Sequence, residues 1–105
     1  MVYDEVPHVL HMVLIAGREL QDRLVTMITE NGGHVTNIFY GKGAVKSSYI
    51  MSMFGLVHEK NKVLINCLIS ESEVDDIFNI LAADFHFEKP HTGIAYTIPV
   101  VGLSY

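Results

Sequence analysis

Lys89-Pro90-His91-Thr92-Gly93 is a cationic, glycine-ended turn that opens onto an alternating apolar run from Ile94 to Val100. Backbone N–H groups gathered at such a turn, beside a positive charge, suit an anion such as a phosphate or a carboxylate. Pro and Gly also punctuate ordinary surface turns, which is the plain structural reading of the same residues. A second group with similar chemistry is Gly41-Lys42-Gly43, followed by Lys46. Its glycines let the backbone come close to a phosphate and its lysines supply charge. The plain alternative is a solvated loop with two surface lysines. The chain has no G-x-x-x-x-G-K-[ST] stretch, and Gly41-x-Gly43 lacks the third glycine of a dinucleotide fingerprint, so ATP hydrolysis of the P-loop kind is not expected.

Six histidines invite a metal reading. His86 and His91 flank a proline, and His8 and His11 lie near a strand. Neither spacing is that of a dedicated zinc site, and Cys67 is the only cysteine, so no metal ligands are assigned. One histidine from each copy of an oligomer meeting on its axis stays open. His91 is the preferred functional histidine because it sits in the turn, where an imidazole can donate to a ligand oxygen or stack on a base. Glu71, Glu73, Asp75 and Asp76 crowd the start of a helix, where its dipole favours negative charge. Cys67 lies in an apolar run and reads as a small core residue. No Ser–His–Asp or Cys–His arrangement emerges from the residue order. No catalytic residue is assigned, and an enzyme is not expected.

The elements that must hold these groups follow from periodicity. Val9–Ile15 is rich in Val, Ile and Leu and reads as a buried strand. Gly17 opens a helical pattern with Leu20, Leu24, Met27 and Ile28 on one face, ended by Asn31-Gly32-Gly33. His34–Tyr40 has the β-branched and aromatic residues of a strand. Residues 41–57 change texture: a small, flexible start, then Tyr49, Ile50, Met51, Met53 and Phe54, which serve either packing or an adaptable partner surface. Lys62–Ile69 is a further apolar strand. Ser70 with Glu73 has the pattern of a capping box, and Val74, Ile77, Phe78 and Leu81 form a second helical stripe. Pro99, near the end of Ile94–Val100, points to an edge or terminal strand.

The order strand–helix–strand, loop, strand–helix–strand is a doubled βαβ unit. It predicts an α+β, ferredoxin-like split βαβ sandwich with two helices on one face of a four-stranded antiparallel sheet. The 105 residues suit a single domain, with residues 1–7 polar and frayed. The apolar share is 50%, and the first and third strands read as continuous apolar runs. The second sheet face is therefore expected to be open, apolar and covered by oligomerisation. A formal charge of −5 argues against nucleic acid or an anionic membrane as the main partner. A single cysteine fits a reducing, cytoplasmic setting. No run approaches the roughly 20 apolar residues that membrane insertion needs.

At this point the chain resembles the PII-like nitrogen regulatory proteins of the PII signalling superfamily. The likeness runs from about His8 to Tyr105 and rests on Tyr40-Gly-Lys-Gly43, Met53-Phe-Gly-Leu56, Lys62–Ile69 and Lys89-Pro-His-Thr-Gly-Ile-Ala-Tyr-Thr-Ile-Pro-Val100 in that order. The resemblance implies a homotrimer, with a small anionic effector, an adenine nucleotide (ATP, ADP or AMP) among the possibilities, bound between subunits. It places Gly41, Lys42, Gly43 and Lys46 at the base of a T-loop, residues 41–57, that meets a target protein or transporter. Lys89, Pro90, His91, Thr92 and Gly93 fall at the B-loop. The chain departs from the PII proteins proper in having only Thr92-Gly93 of the longer glycine-rich B-loop and no Arg after Arg23. Both departures remove phosphate-holding groups, and the modification of a T-loop tyrosine is not carried over to Tyr49. The same architecture occurs in trimeric metal-binding proteins of the CutA type, which is the alternative expectation.

Overall fold

The computed structural model describes residues 9–40, 61–89 and 92–101. Strand β1 spans Val9–Gly17, and a single 3-10 turn, Arg18–Leu20, leads into helix α1 at Gln21–Glu30. Strand β2 is His34–Tyr40 and strand β3 is Lys62–Ser70. A second 3-10 turn, Glu71–Glu73, precedes helix α2 at Val74–Phe85, and strand β4 is Gly93–Pro99. The strands form one antiparallel sheet in the order β2-β3-β1-β4. This is the split βαβ arrangement: each crossover places its second strand two positions away and leaves room between for a strand of the other unit.

The core lies between the helices and one sheet face. Met12, Leu14 and Ala16 of β1 alternate inward and meet Val63, Ile65, Cys67 and Ile69 of β3. From the helices come Leu24, Met27, Ile28, Ile77, Leu81 and Phe85. Each large aliphatic group removed from water contributes roughly 1.5–3 kcal/mol, so this layer supplies the main favourable term for holding the helices to the sheet.

Local differences from the sequence reading have plain causes. Gly17 does not open the helix; it is extended and ends β1, and the chain tightens into the 3-10 turn before α1 begins. An apolar spacing of three or four cannot separate that turn from the first turn of an α-helix. The hydroxyl of Ser70 accepts from the N–H of Ser72 at 3.3 Å, two residues on rather than three, because Glu71–Glu73 is wound as a 3-10 turn. On α2 the buried stripe is Ile77, Leu81 and Phe85, with Val74 and Phe78 only half-buried. The chain leaves α1 as expected: Gly32 takes a φ of 83°, and the Gly33 N–H reaches back to the Ile28 carbonyl at 2.8 Å.

The second sheet face is less open than its apolar residues imply. Val13, Ile15 and Leu64 are already buried in the single chain, with Ile94 and Tyr96 packed against them. Phe39 and Ile98, at the two edges, remain exposed. Residues 1–7, expected to fray, and residues 41–57, expected to form a loop, lie outside the described residues.

Candidate functional site

Strand register brings Tyr40, the residue before Gly41, and Gly93, the last residue of the turn, to one end of the sheet. Tyr40, the last residue of β2, faces Val63 on β3; Val63 faces Ala16 on β1; and Ala16 faces Gly93, the first residue of β4. The stem of the segment that carries Gly41, Lys42, Gly43 and Lys46 therefore shares a cross-strand row with the exit of the turn 89–93. The row has a second consequence. Tyr40 and Gly93 are on opposite edges, three strand spacings apart, or about 14 Å. One phosphate or carboxylate group, contacted at about 3 Å by each donor, cannot bridge that distance within a single chain.

The turn is built from α2 outward. His86 takes a left-handed conformation, φ 60° and ψ 34°, and ends the helix. The Phe87 N–H then donates to the Leu81 carbonyl at 3.0 Å, which satisfies one of the free carbonyls of the last turn. Phe87 meets Phe85 edge-to-face, with ring centroids 6.5 Å apart and an interplanar angle of 81°. The Phe87 ring also covers Gly93 so closely that a Cβ there would lie 2.5 Å from a ring carbon. A side chain at position 93 would thus displace the ring that pins the turn. Lys89 is exposed, and its N–H donates to the His86 carbonyl at 3.0 Å. Thr92 and Gly93 are half-buried. A crevice of about 330 Å³ opens beside the turn, between α2 and β4, walled by Phe78, Leu81, Phe87, Glu88, Gly93 and Ile94 among others.

At the other edge the sequence reading missed Arg18. Its backbone N–H donates to the Asn61 carbonyl at 2.7 Å, just ahead of β3. Its guanidinium carbon lies 4.3 Å from the centre of the Tyr40 ring, just as β2 ends. One residue at the end of β1 thus touches both stems of the segment 41–60. Its Nε is buried and has no hydrogen-bond partner among the described residues. Arg18 and Tyr40 are far apart in the chain, so no local motif announces the contact; the only cue is a cation directly after a buried strand.

Of the candidate residues, Lys89, Thr92 and Gly93 are described and lie together. Gly41, Lys42, Gly43, Lys46, Pro90 and His91 lie outside the described residues. Among the described residues no group of His, Cys, Asp or Glu is placed to hold a metal ion. No helix there is long and apolar enough to cross a membrane.

This arrangement is that of a ferredoxin-like α+β module, and the chain has the fold of the PII-like signalling proteins. A proposed PII-like signalling protein of Thermus thermophilus superposes with a TM-score of 0.60 at 20% identity, over 86% of this chain and 83% of that one. CPII of Thiomonas intermedia, bound to ADP, AMP and acetate, gives 0.61 at 13% identity over 85% and 82%. The apo form of CPII, a nitrogen regulatory PII-like protein, gives 0.57 at 10% identity over 86% of each chain. No protein-family model matches the chain and no curated protein matches it in sequence.

Proposed function

We propose that this chain is a single-domain PII-like regulator. It acts in the cytoplasm as a homotrimer and binds a small anionic effector, an adenine nucleotide first among the candidates, in the cleft between neighbouring subunits. The row Tyr40–Val63–Ala16–Gly93 carries this reading. Loop stem and turn are at the same end of the sheet yet on opposite edges, so a shared ligand is held by the edge of one subunit and the opposite edge of the next. The fold likeness to CPII, whose structure contains ADP and AMP, supports the choice of effector class.

Within this reading Lys89, His91 and the backbone of Thr92 and Gly93 hold the anion from one subunit. Gly41, Lys42, Gly43 and Lys46 close on it from the other. Residues 41–57 meet or release a target protein according to whether effector is bound. The effector shifts the loop only as far as its affinity differs between the two loop states. The chain works by binding and has no catalytic role.

Titration calorimetry with AMP, ADP and ATP tests the assignment. Lys42→Glu and Lys89→Ala are each expected to weaken binding at least tenfold, which is about 1.4 kcal/mol, while sedimentation shows an unchanged assembly. Equal affinity in the parent chain and both variants would remove the two lysines from the site.

A further inference from the structure

An open groove of about 760 Å³ runs between α1 and α2, and none of its residues is among those assigned to the anion. Its α1 wall is one helical ridge, with Arg23, Thr26, Met27 and Glu30 at i, i+3, i+4 and i+7. The α2 wall carries Ile80, Ala83 and Asp84 at i, i+3 and i+4. Met27 and Phe85 are buried and Ile80 is half-buried, so the floor is apolar. Asp22, Glu30 and Asp84 stand exposed on the rim. Thr26 and Ala83 are short, which leaves the middle of the groove open to a side chain from outside.

The carboxylates of this helical layer are not all of one kind. Asp22, Asp75 and Asp76 lie in the first turns of their helices, where the dipole favours negative charge. Glu30 is the last residue of α1 and Asp84 lies in the last turn of α2, where the dipole disfavours it. Neither helix has a basic residue in its last turn. No Lys or Arg lies three or four residues from Glu30 or Asp84 to offset the charge. Among the described residues the one cation lining the groove is Arg23, with its guanidinium carbon 4.8 Å from the centre of the Phe85 ring. Glu30 and Asp84 therefore weaken the helices that carry them, and their exposed side chains serve no packing. A cationic partner gives both a use.

Spacing narrows the partner. The Arg23–Phe85 contact sets the last turn of α2 beside the first turn of α1, so Asp22 and Asp84 share one end of the groove. Glu30 marks the other end, eight residues from Asp22 and about 12 Å along the helix axis. An extended chain rises about 3.3 Å per residue and turns every second side chain to one face. Cations at i and i+4 then span about 13 Å and reach both acidic ends. An aliphatic residue at i+2 comes down on Met27 and Ile80. A small polyamine would answer the carboxylates but leave this floor uncovered, and no group of His, Cys, Asp or Glu among the described residues is placed to hold a metal ion.

We propose that the groove between α1 and α2 docks an extended basic segment of a partner protein, with an aliphatic side chain midway between two cations. It is a contact surface additional to the effector site, and the two are tested separately.

The test is an NMR titration of the isotope-labelled full chain, at about 150 mM salt to screen diffuse attraction. The probe is a peptide of arginine, serine, leucine, serine and arginine, blocked at both ends. The expected result is saturable change below about 1 mM peptide, confined to backbone amides of α1 and α2. E30Q and D84N are each expected to weaken the peptide about threefold, and about tenfold together. Each should also raise the urea midpoint of the unbound protein, because a charge opposed to the dipole is gone. Those opposite signs separate a binding group from a structural one. Adenine nucleotide affinity should match the parent in both variants, so failure of the groove leaves the effector reading standing. Absence of saturation, or changes spread beyond the two helices, would overturn the proposal. So would equal affinity for spermidine or for the peptide with serine in place of leucine, since the groove would then attract cations without reading the segment. Lower urea midpoints in both variants would also overturn it, by showing that the two carboxylates serve the fold.

Discussion

Cys67 is fully covered between β1 and the helices, and its thiol lies 3.7 Å from the Met12 carbonyl, to which it donates. Burial raises the thiol from 9.0 to about 11 by penalising the thiolate. The neutral form is the one the fold accepts, so the group is a core residue with suppressed nucleophilicity. The sign of its linkage follows. The unfolded chain ionises this thiol from about pH 9 and the folded chain only near 11. Stability is unaffected below pH 9 and declines between 9 and 11, with a slope of at most about 1.4 kcal/mol per pH unit from this group. A thiol reagent at pH 8 is expected to leave the native protein unlabelled and to modify one site per chain after denaturation. Rapid labelling of the native chain would mean that the strand opens locally. Gly93 shows the opposite case, a residue whose type was read as ligand chemistry and which also has a packing reason, the Phe87 ring above it. Both roles need the missing side chain, since a bare backbone admits either a ring or an anion.

Among the elements, α2 ends on a residue poorly suited to its conformation. His86 is left-handed, a region that costs a non-glycine residue roughly 1–2 kcal/mol, and its side chain is exposed. His86→Gly is expected to raise stability by about 0.5–1 kcal/mol, seen as a higher urea midpoint with an unchanged slope. A lower midpoint would show that the imidazole makes a contact worth more than the backbone strain. The sequence was a good guide to such elements and a poorer one to their junctions. His34–Tyr40 and Lys62–Ile69 were legible because β-branched and aromatic runs leave few alternatives, and Asn31-Gly32-Gly33 because the helix exit needs a positive φ. The 3-10 entries at Arg18 and Glu71 were not, since three residues carry no distinct apolar period. Phe85 was missed for a related reason: it lies a turn beyond the apparent stripe, and a ring from the following turn helps to hold it. A turn before the last strand was readable from its residue types, whereas its place at the same end of the sheet as the loop stem was not. That placement depends on register across four strands, and register is set by the packed sheet rather than by any local segment.

At the scale of the whole molecule, charge and apolar surface divide between the two layers, and the division says how copies should associate. The helices face outward with their carboxylates, and among the described residues the loop end of the sheet holds Lys62, opposite Gly17, and the turn after α2 holds Lys89. The far sheet face is apolar and keeps Phe39 and Ile98 exposed. Ile98 discriminates between a face that merely tolerates water and one that needs a partner. It stands on the edge strand β4 with 47% of its surface open, so replacing it changes the isolated subunit by no more than about 0.5 kcal/mol. In an assembly the same position is covered, and a carboxylate there is buried without a counter-ion. Ile98→Asp is therefore expected to give folded single subunits at pH 8.0 with an unchanged circular dichroism spectrum. The unfolding temperature of the parent chain should rise with protein concentration, because dissociation accompanies its unfolding, and that of the variant should not. An Ile98→Asp protein that remains assembled would move the interface off this face. The effector site would then have to form where copies meet through another surface, because one chain alone leaves roughly 14 Å between the two edges of its sheet.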